Sequence, residues 1–252
     1  MLSMKTMWDY SDRANTYDKR ADYSYAAVKQ LLDQIGCSKN TSVADIGAGT
    51  GKLTKILLAE SLIVRAVEPN FNMRTIGMKN TQNRNVSWTE GVGEATGLPK
   101  QSFHAAFFGS SFNVVDQEKT LNEVARILVP DGWFVCMWNH RDLTDCLQKK
   151  IEQVIHIFIP NFNYGIRRKD PTDIIKSSSY FGEVERIQKR FIITMEADDI
   201  VDAWRSHDTL FRQSGDKFDE IINAISEELT LANYKVPYFT RIWFSRLLPR
   251  SI

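Results

Sequence analysis

The chain has 252 residues, 43% of them hydrophobic and 25% charged, which is ample material for a full hydrophobic core. Its 32 Lys and Arg side chains face 31 Asp and Glu, so no overall field is built for a polyanion, and a nucleic-acid substrate is disfavoured. No apolar run reaches the ~18 residues of a membrane span, and the start, MLSMKTMWDYSDR, holds none of signal-peptide length; the expectation is a soluble, cytoplasmic protein without membrane insertion. Cys37, Cys136 and Cys146 are widely spaced and have no histidine at metal-ligand spacing, so they read as reduced thiols with no metal site.

Residues Trp8 to Ser24 are rich in aromatics and charge and precede an amphipathic helix, in which Val28, Leu31, Leu32 and Ile35 share a face and Gly36 is the stop. The stretch VADIGAGTGKLT, Val43 to Thr54, follows. Val43 to Ile46 reads as the end of a buried strand, Gly47, Gly49 and Gly51 as a tight turn, and Lys52 onward as a helix start. Such a turn lets the backbone approach a ligand, with the helix's unpaired amides facing it. A dinucleotide-binding loop would read G-x-G-x-x-G, whereas this one is G-x-G-x-G with Asp45 two residues ahead, an acid that suits a cationic ligand group. Next, LIVRAVEPN is an apolar strand from Leu62 to Val67 ending in Glu68, 23 residues after Asp45, where a carboxylate can accept both hydroxyls of a ribose.

Together the two motifs resemble those of the class I S-adenosylmethionine-dependent methyltransferases, in particular the small-molecule group that includes the ubiquinone and menaquinone methyltransferases. The resemblance is tight from about Tyr17 to Arg141 and loose afterwards. It implies S-adenosylmethionine as cofactor and S-adenosylhomocysteine as product. The methionine end is expected at Asp45, Gly47 and Gly49, with Ala48 and Gly51 in the same turn, and the ribose at Glu68 beside Pro69. Met73, one turn into the next helix, is expected beside the adenine, with plain core packing as its alternative. The aromatic segment before the first helix resembles the family's lid, with Tyr17 beside the methionine end and Arg20 behind it; otherwise its aromatics cover a core edge. After a strand at Asn85 to Glu90, GVGEATGLP resembles the third cofactor motif, with Val92 at the usual aspartate position, which leaves the adenine to backbone groups around Gly93, Glu94 and Ala95.

A strand from Phe103 to Phe108 leads into GSSFNVVD at the edge where open α/β sheets bind ligands. Ser110 is assigned to the cofactor, and Ser111, Phe112 and Asn113 to the substrate. His104 reads as a structural residue. Leu121, Val124, Ala125 and Leu128 form a helix face, Pro130-Asp131-Gly132 a turn, and Trp133 to Trp138 a strand, after which Asn139, His140 and Arg141 point toward the crevice. His140 is the first candidate for a general base and Tyr17 the second.

Leu143 to Phe158 reads as a helix and PNFNYGIRRKDPTD as a flap, in which Arg167, Arg168 and Lys169 either meet a substrate anion or form solvated surface. By the same resemblance, Val184 to Thr194 and Arg241 to Leu248 look like the two late strands of the methyltransferase sheet, the last running antiparallel. Between them lie helical stretches Ala197 to Phe211 and Asp216 to Ala232, which bring Trp204, with His207, Phe211 and Tyr238, toward the substrate. The expected architecture is α/β and Rossmann-like, a seven-stranded mostly parallel sheet with helices on both faces and a C-terminal helical cap insertion, in a single domain. Its parts are a lid (1–24), a cofactor-binding core (37–141), a substrate cap and flap (142–240) and the last strand (241–252). The predicted function is methyl transfer to oxygen or nitrogen of a small metabolite, with carbon as a further option, by a monomer or homodimer. A silent methyltransferase-fold binding or regulatory protein is the alternative, and a nicotinamide oxidoreductase the competing enzyme class.

Overall fold

The computed structural model describes residues 21–82 and 84–249. Tyr17, Arg20 and the earlier part of the expected lid lie outside these residues. The chain alternates helices and strands: α1 (Tyr25–Gln34), β1 (Ser42–Ile46), α2 (Lys52–Ala59), β2 (Ile63–Val67), α3 (Phe71–Asn80), β3 (Val86–Thr89), β4 (Phe103–Gly109), α4 (Gln117–Ile127) and β5 (Leu128–Arg141). It continues with α5 (Cys146–Phe158), α6 (Thr172–Ser177), β6 (Phe181–Glu196), α7 (Ala197–Arg205), α8 (Asp208–Ser214), α9 (Phe218–Glu227) and β7 (Asn233–Leu247).

The seven strands form one sheet in the order β3-β2-β1-β4-β5-β7-β6. β1 pairs in parallel with both β2 and β4, while β7 runs antiparallel to β5 and β6. The order reverses between β1 and β4, which opens a crevice at the carboxyl ends of those strands. Successive residues of the buried strands pack to opposite faces. Val43, Phe107 and Val135 join Val28 and Leu31 of α1 and Leu57 of α2, whereas Ala44, Phe108 and Phe134 join Leu121 and Val124 of α4 and Ile175 of α6. Both faces are thus covered, which is why β1 is buried at every position from Val43 to Ile46, Asp45 included, instead of alternating.

The late strands are longer than their apolar patterns suggest. β6 and β7 extend past the end of β5 as a two-stranded ribbon paired from Ile192↔Pro237 to Glu196↔Asn233. There a third apolar cluster forms, in which Met195 and Val236 of the ribbon and Tyr238 at its base pack with Ile151 and Ile155 of α5, Trp204 of α7 and Ile221 and Ile225 of α9. This is the cap. The expected helix from Ala197 to Phe211 is two helices, because the His207 side chain accepts the Leu210 amide through Nδ1 at 3.2 Å and starts α8 afresh. The expected second stretch, Asp216 to Ala232, is a short 3₁₀ turn (Gly215–Lys217) followed by α9. The expected helix from Leu143 begins only at Cys146, where Asp145 caps it by accepting the Leu147 and Gln148 amides. Pro130-Asp131-Gly132 lies within the span of β5 as an irregularity: pairing passes from Phe103↔Leu128 directly to Ala105↔Trp133.

Cys37, Cys136 and Cys146 are unpaired. Among the described residues, no helix is long and apolar enough to cross a membrane.

Candidate functional site

Two pockets meet at the carboxyl edge of the sheet, and Ser110, immediately after β4, lines both. The first lies against the glycine turn and is walled by Gly47, Gly49, Glu68, Met73, Val92 and Ser111, among others. Each wall is set by a local bond. Glu68 accepts the Gly49 amide on Oε2 at 2.8 Å and the Asn70 amide on Oε1 at 2.9 Å, which ties the end of β2 to the turn after β1. Burial raises the pKa of this carboxyl, and the two amides work against that rise. Asn70 caps α3 by accepting the Met73 amide at 3.0 Å, and that capped first turn places Met73 on the pocket wall. Ser111 donates to the Ile46 carbonyl at 2.6 Å and packs under Gly47. Behind the turn, Asp45 is fully buried; its Oδ2 accepts the Thr54 hydroxyl at 2.6 Å and its Oδ1 has no partner. Burial pushes the Asp45 carboxyl up to about 7.

The second pocket lies under the cap. Its walls include Tyr23, Lys52, His140, Arg141, Tyr164 and Arg168, with Trp138, Asn139, His207 and Tyr238 beside them. The Tyr23 hydroxyl and Ser110 Oγ are 2.9 Å apart, at the junction of the two pockets. Asn139 donates to the carbonyls of Ala21 and Asp22 and accepts the Thr240 hydroxyl at 2.6 Å, so its amide fastens the segment before α1 to the sheet edge. His140 is largely buried, with Nδ1 facing Nη1 of Arg241 at 3.5 Å.

Residues 44–136 match the family model described as "Methyltransferase domain". An uncharacterized methyltransferase of Mycobacterium bovis is 36% identical over 134 residues, covering 53% of this chain and 53% of that protein. A ubiquinone/menaquinone biosynthesis C-methyltransferase UbiE of a Caulobacter strain is 26% identical over 168 residues, 59% of this chain and 66% of that protein. The chain thus spans between about half and two thirds of these relatives' length. The solved phosphoethanolamine N-methyltransferase 2 of Haemonchus contortus, in complex with S-adenosyl-L-methionine, superposes with a TM-score of 0.56 at 14% identity. That superposition covers 98% of this chain and 59% of the other, and it shows a shared fold. Residues 44–136 thus form a methyltransferase domain, and the chain is similar to the class I S-adenosylmethionine-dependent methyltransferases in its sheet.

The residues singled out from the sequence fall into three groups. Gly47, Gly49, Glu68, Pro69, Met73, Gly93, Glu94, Ser110 and Ser111 line the glycine-turn pocket, and His140 and Asn139 line the cap pocket. Others stand one layer back. Gly51 starts α2 with φ +84°, and the Ala95 amide is spent on the Val92 carbonyl at 3.1 Å. Phe112 packs fully buried against Phe108 and Phe134, Asn113 accepts the Trp138 indole N–H at 3.0 Å, and Trp204 lies beneath Arg141. Asp45 belongs to this group too, since it supports the turn from behind. Away from both pockets, Phe211 packs on Phe218 and is 44% exposed. Tyr23 and Tyr164 were legible only as aromatics in a lid and a flap, and no spacing rule marks them as pocket walls.

Proposed function

We propose that the protein transfers a methyl group from S-adenosylmethionine to oxygen or nitrogen of a small metabolite, with carbon as a further option. The observation that carries this reading is the meeting of the two pockets at Ser110, so that a group bound against the glycine turn adjoins one bound under the cap. The pocket chemistry fits the cofactor. Glu68 offers carboxylate oxygens to ribose hydroxyls, Val92 and Met73 offer apolar surface to a purine, and the buried acid behind the turn, with its orphaned Oδ1, favours a cationic neighbour. When bound, S-adenosylmethionine supplies a methyl already made electrophilic by a sulfonium, so no protein nucleophile is required.

The chain's own contribution is then positioning and exclusion of water, an effect that contributes about 7–11 kcal/mol when geometry is good. The Tyr23 hydroxyl and Ser110 Oγ fix the junction, and the cap shields it. His140 is the group in the cap pocket that takes a proton from an acceptor arriving protonated. An S-adenosylhomocysteine release assay across a panel of metabolites tests the reading, with turnover of at least one as the expected result. Tight cofactor binding without turnover on the whole panel would favour a silent binding protein.

A further inference from the structure

We propose, resting on the methyl-transfer reading above, that the acceptor carries a carboxylate or a phosphate and that Arg141 and Arg168 grip this anionic group under the cap. Arg141, the last residue of β5, lays its guanidinium over the Trp204 ring at 4.1 Å, with the Tyr238 ring at 6.0 Å. Arg168 comes from the flap, in a 3₁₀ turn (Gly165–Arg168), and lays its guanidinium over Tyr164 at 4.2 Å. Its Nη2 donates to the Arg141 carbonyl at 3.3 Å, and its Nε is buried without a partner. A guanidinium stacked on a ring face keeps its N–H edge free in the plane, the geometry that meets a carboxylate or phosphate with two parallel bonds.

The charge balance of the pocket points the same way. Arg74, Arg126, Arg190 and Arg212 each pair with a carboxylate within 2.8 Å, whereas neither Arg141 nor Arg168 forms an ion pair with a described residue. Among the described residues, the pocket walls include Lys52, His140 and His207 but no Asp or Glu. Lys52 is held by Asp22 at 2.8 Å, outside the walls. The acid whose charge reaches Arg168 is Glu152, which accepts the Tyr164 hydroxyl at 3.0 Å and so lies beyond that ring's hydroxyl end. Burial lowers the pKa of Arg168; Tyr164 and Glu152 oppose that shift, and the charges of Arg241 and Arg141 add to it. Two half-buried like charges are costly to hold together, and an anion between them offsets that cost. Of the basic run in the flap, Lys169 points instead into a separate hollow beside Asp170, and the Arg167 side chain lies outside the described residues.

The test is calorimetric titration of the full chain, saturated with S-adenosylhomocysteine, with benzoate and with phenyl phosphate; benzamide and benzylamine serve as neutral and cationic counterparts. The expected result is that at least one anion binds while the amide and the amine do not, and which anion binds separates carboxylate from phosphate. Arg168→Gln is expected to weaken that anion about tenfold or more, Arg168→Lys to recover part of the loss, and both to leave S-adenosylhomocysteine affinity unchanged. Equal binding of benzamide or benzylamine, no binding of either anion, or an Arg168→Gln protein that binds the anion like the wild type would overturn the proposal. The titration is repeated without S-adenosylhomocysteine; if that ligand does not bind and the anion does, the methyl-transfer reading fails and the anion site stands.

Discussion

The Oε2 oxygen of Glu68 accepts the main-chain N–H of Gly49 at 2.8 Å, joining the acid that closes β2 to the turn that follows β1. Its other oxygen holds the Asn70 amide, so both carboxylate oxygens already have fixed directions before a ligand arrives. Glu68→Ala removes the clamp and the ribose acceptor together. We expect S-adenosylhomocysteine affinity to fall by about ten- to a hundredfold, since an unpaired buried polar group costs about 1–3 kcal/mol. Calorimetry reads this directly, and unchanged affinity would contradict the role of Glu68.

Gly47 and Gly97 both have positive φ, +68° and +70°, yet their substitution should differ sharply. A Cβ on Gly97 meets nothing within 4 Å, so Gly97→Ala should cost only the left-handed backbone penalty, about 1–2 kcal/mol. A Cβ on Gly47 would lie 2.5 Å from the Ser111 Cβ, and Ser111 cannot swing aside without breaking its bond to the Ile46 carbonyl. Gly47→Ala should therefore lose cofactor binding as well as stability. Urea unfolding beside an S-adenosylhomocysteine titration separates the two substitutions, and equal losses would show that Ser111 does not set the turn.

Asp45 gives a pH prediction. Its ordinary value is 3.8 and burial pushes it up to about 7, so between these values the folded chain holds a proton that the unfolded chain has released. Stability from this group is therefore full below about pH 4 and is lost as pH rises through about 7, by up to about 4 kcal/mol. Asp45→Asn keeps the shape and removes the titration. Compared by unfolding at about pH 5 and about pH 8, the variant should lose less stability on going alkaline than the parent. An identical pH dependence in both would show that Asp45 is ionised throughout.

Asp142 titrates in the opposite sense. The Thr144 hydroxyl and the Arg190 guanidinium hold its carboxyl at about 2, below the ordinary 3.8, so its contribution is present above about pH 4 and disappears as pH falls through about 2. Asp142→Asn should thus destabilise the chain at neutral pH and progressively less in acid; a pH-independent difference would assign the loss to packing.

The glycine turn, the strand ending in Glu68 and the capped helix α3 at Met73 were legible because each rests on local chemistry: positive φ, an apolar run, a capping asparagine. The mostly parallel sheet was implied by the resemblance those motifs carry, with the apolar runs marking its strands. What local pattern does not carry is which side chain an end-of-strand residue turns to the crevice. Ser111 and Phe112 are neighbours, yet Ser111 lines the pocket and Phe112 faces the core. Asn139 follows a strand as a ligand would, but Ala21, Asp22 and Thr240 use up its amide, and these partners lie about a hundred residues away in sequence. The pairing of Arg141 with Arg168 depends on the flap folding back over β5, which no periodicity encodes.

Phe112 supplies a check on that distinction. It forms edge-on contacts with Phe108 at 5.5 Å and Phe134 at 4.9 Å, with no exposure to solvent. Phe112→Ala should cost about 3–5 kcal/mol of stability through the cavity it leaves. Phe112→Leu, measured well below its unfolding midpoint, should keep near-normal KM for the acceptor, while a large rise in KM at preserved stability would return Phe112 to the substrate site.

The most direct measurement is calorimetric titration of the purified chain with S-adenosylhomocysteine and, separately, with NAD. A methyltransferase site built on Glu68 and the glycine turn predicts saturable one-to-one binding of S-adenosylhomocysteine, weakened about ten- to a hundredfold in Glu68→Ala, and no binding of NAD. Saturable NAD binding with no response to S-adenosylhomocysteine would contradict it and assign the glycine turn to a dinucleotide.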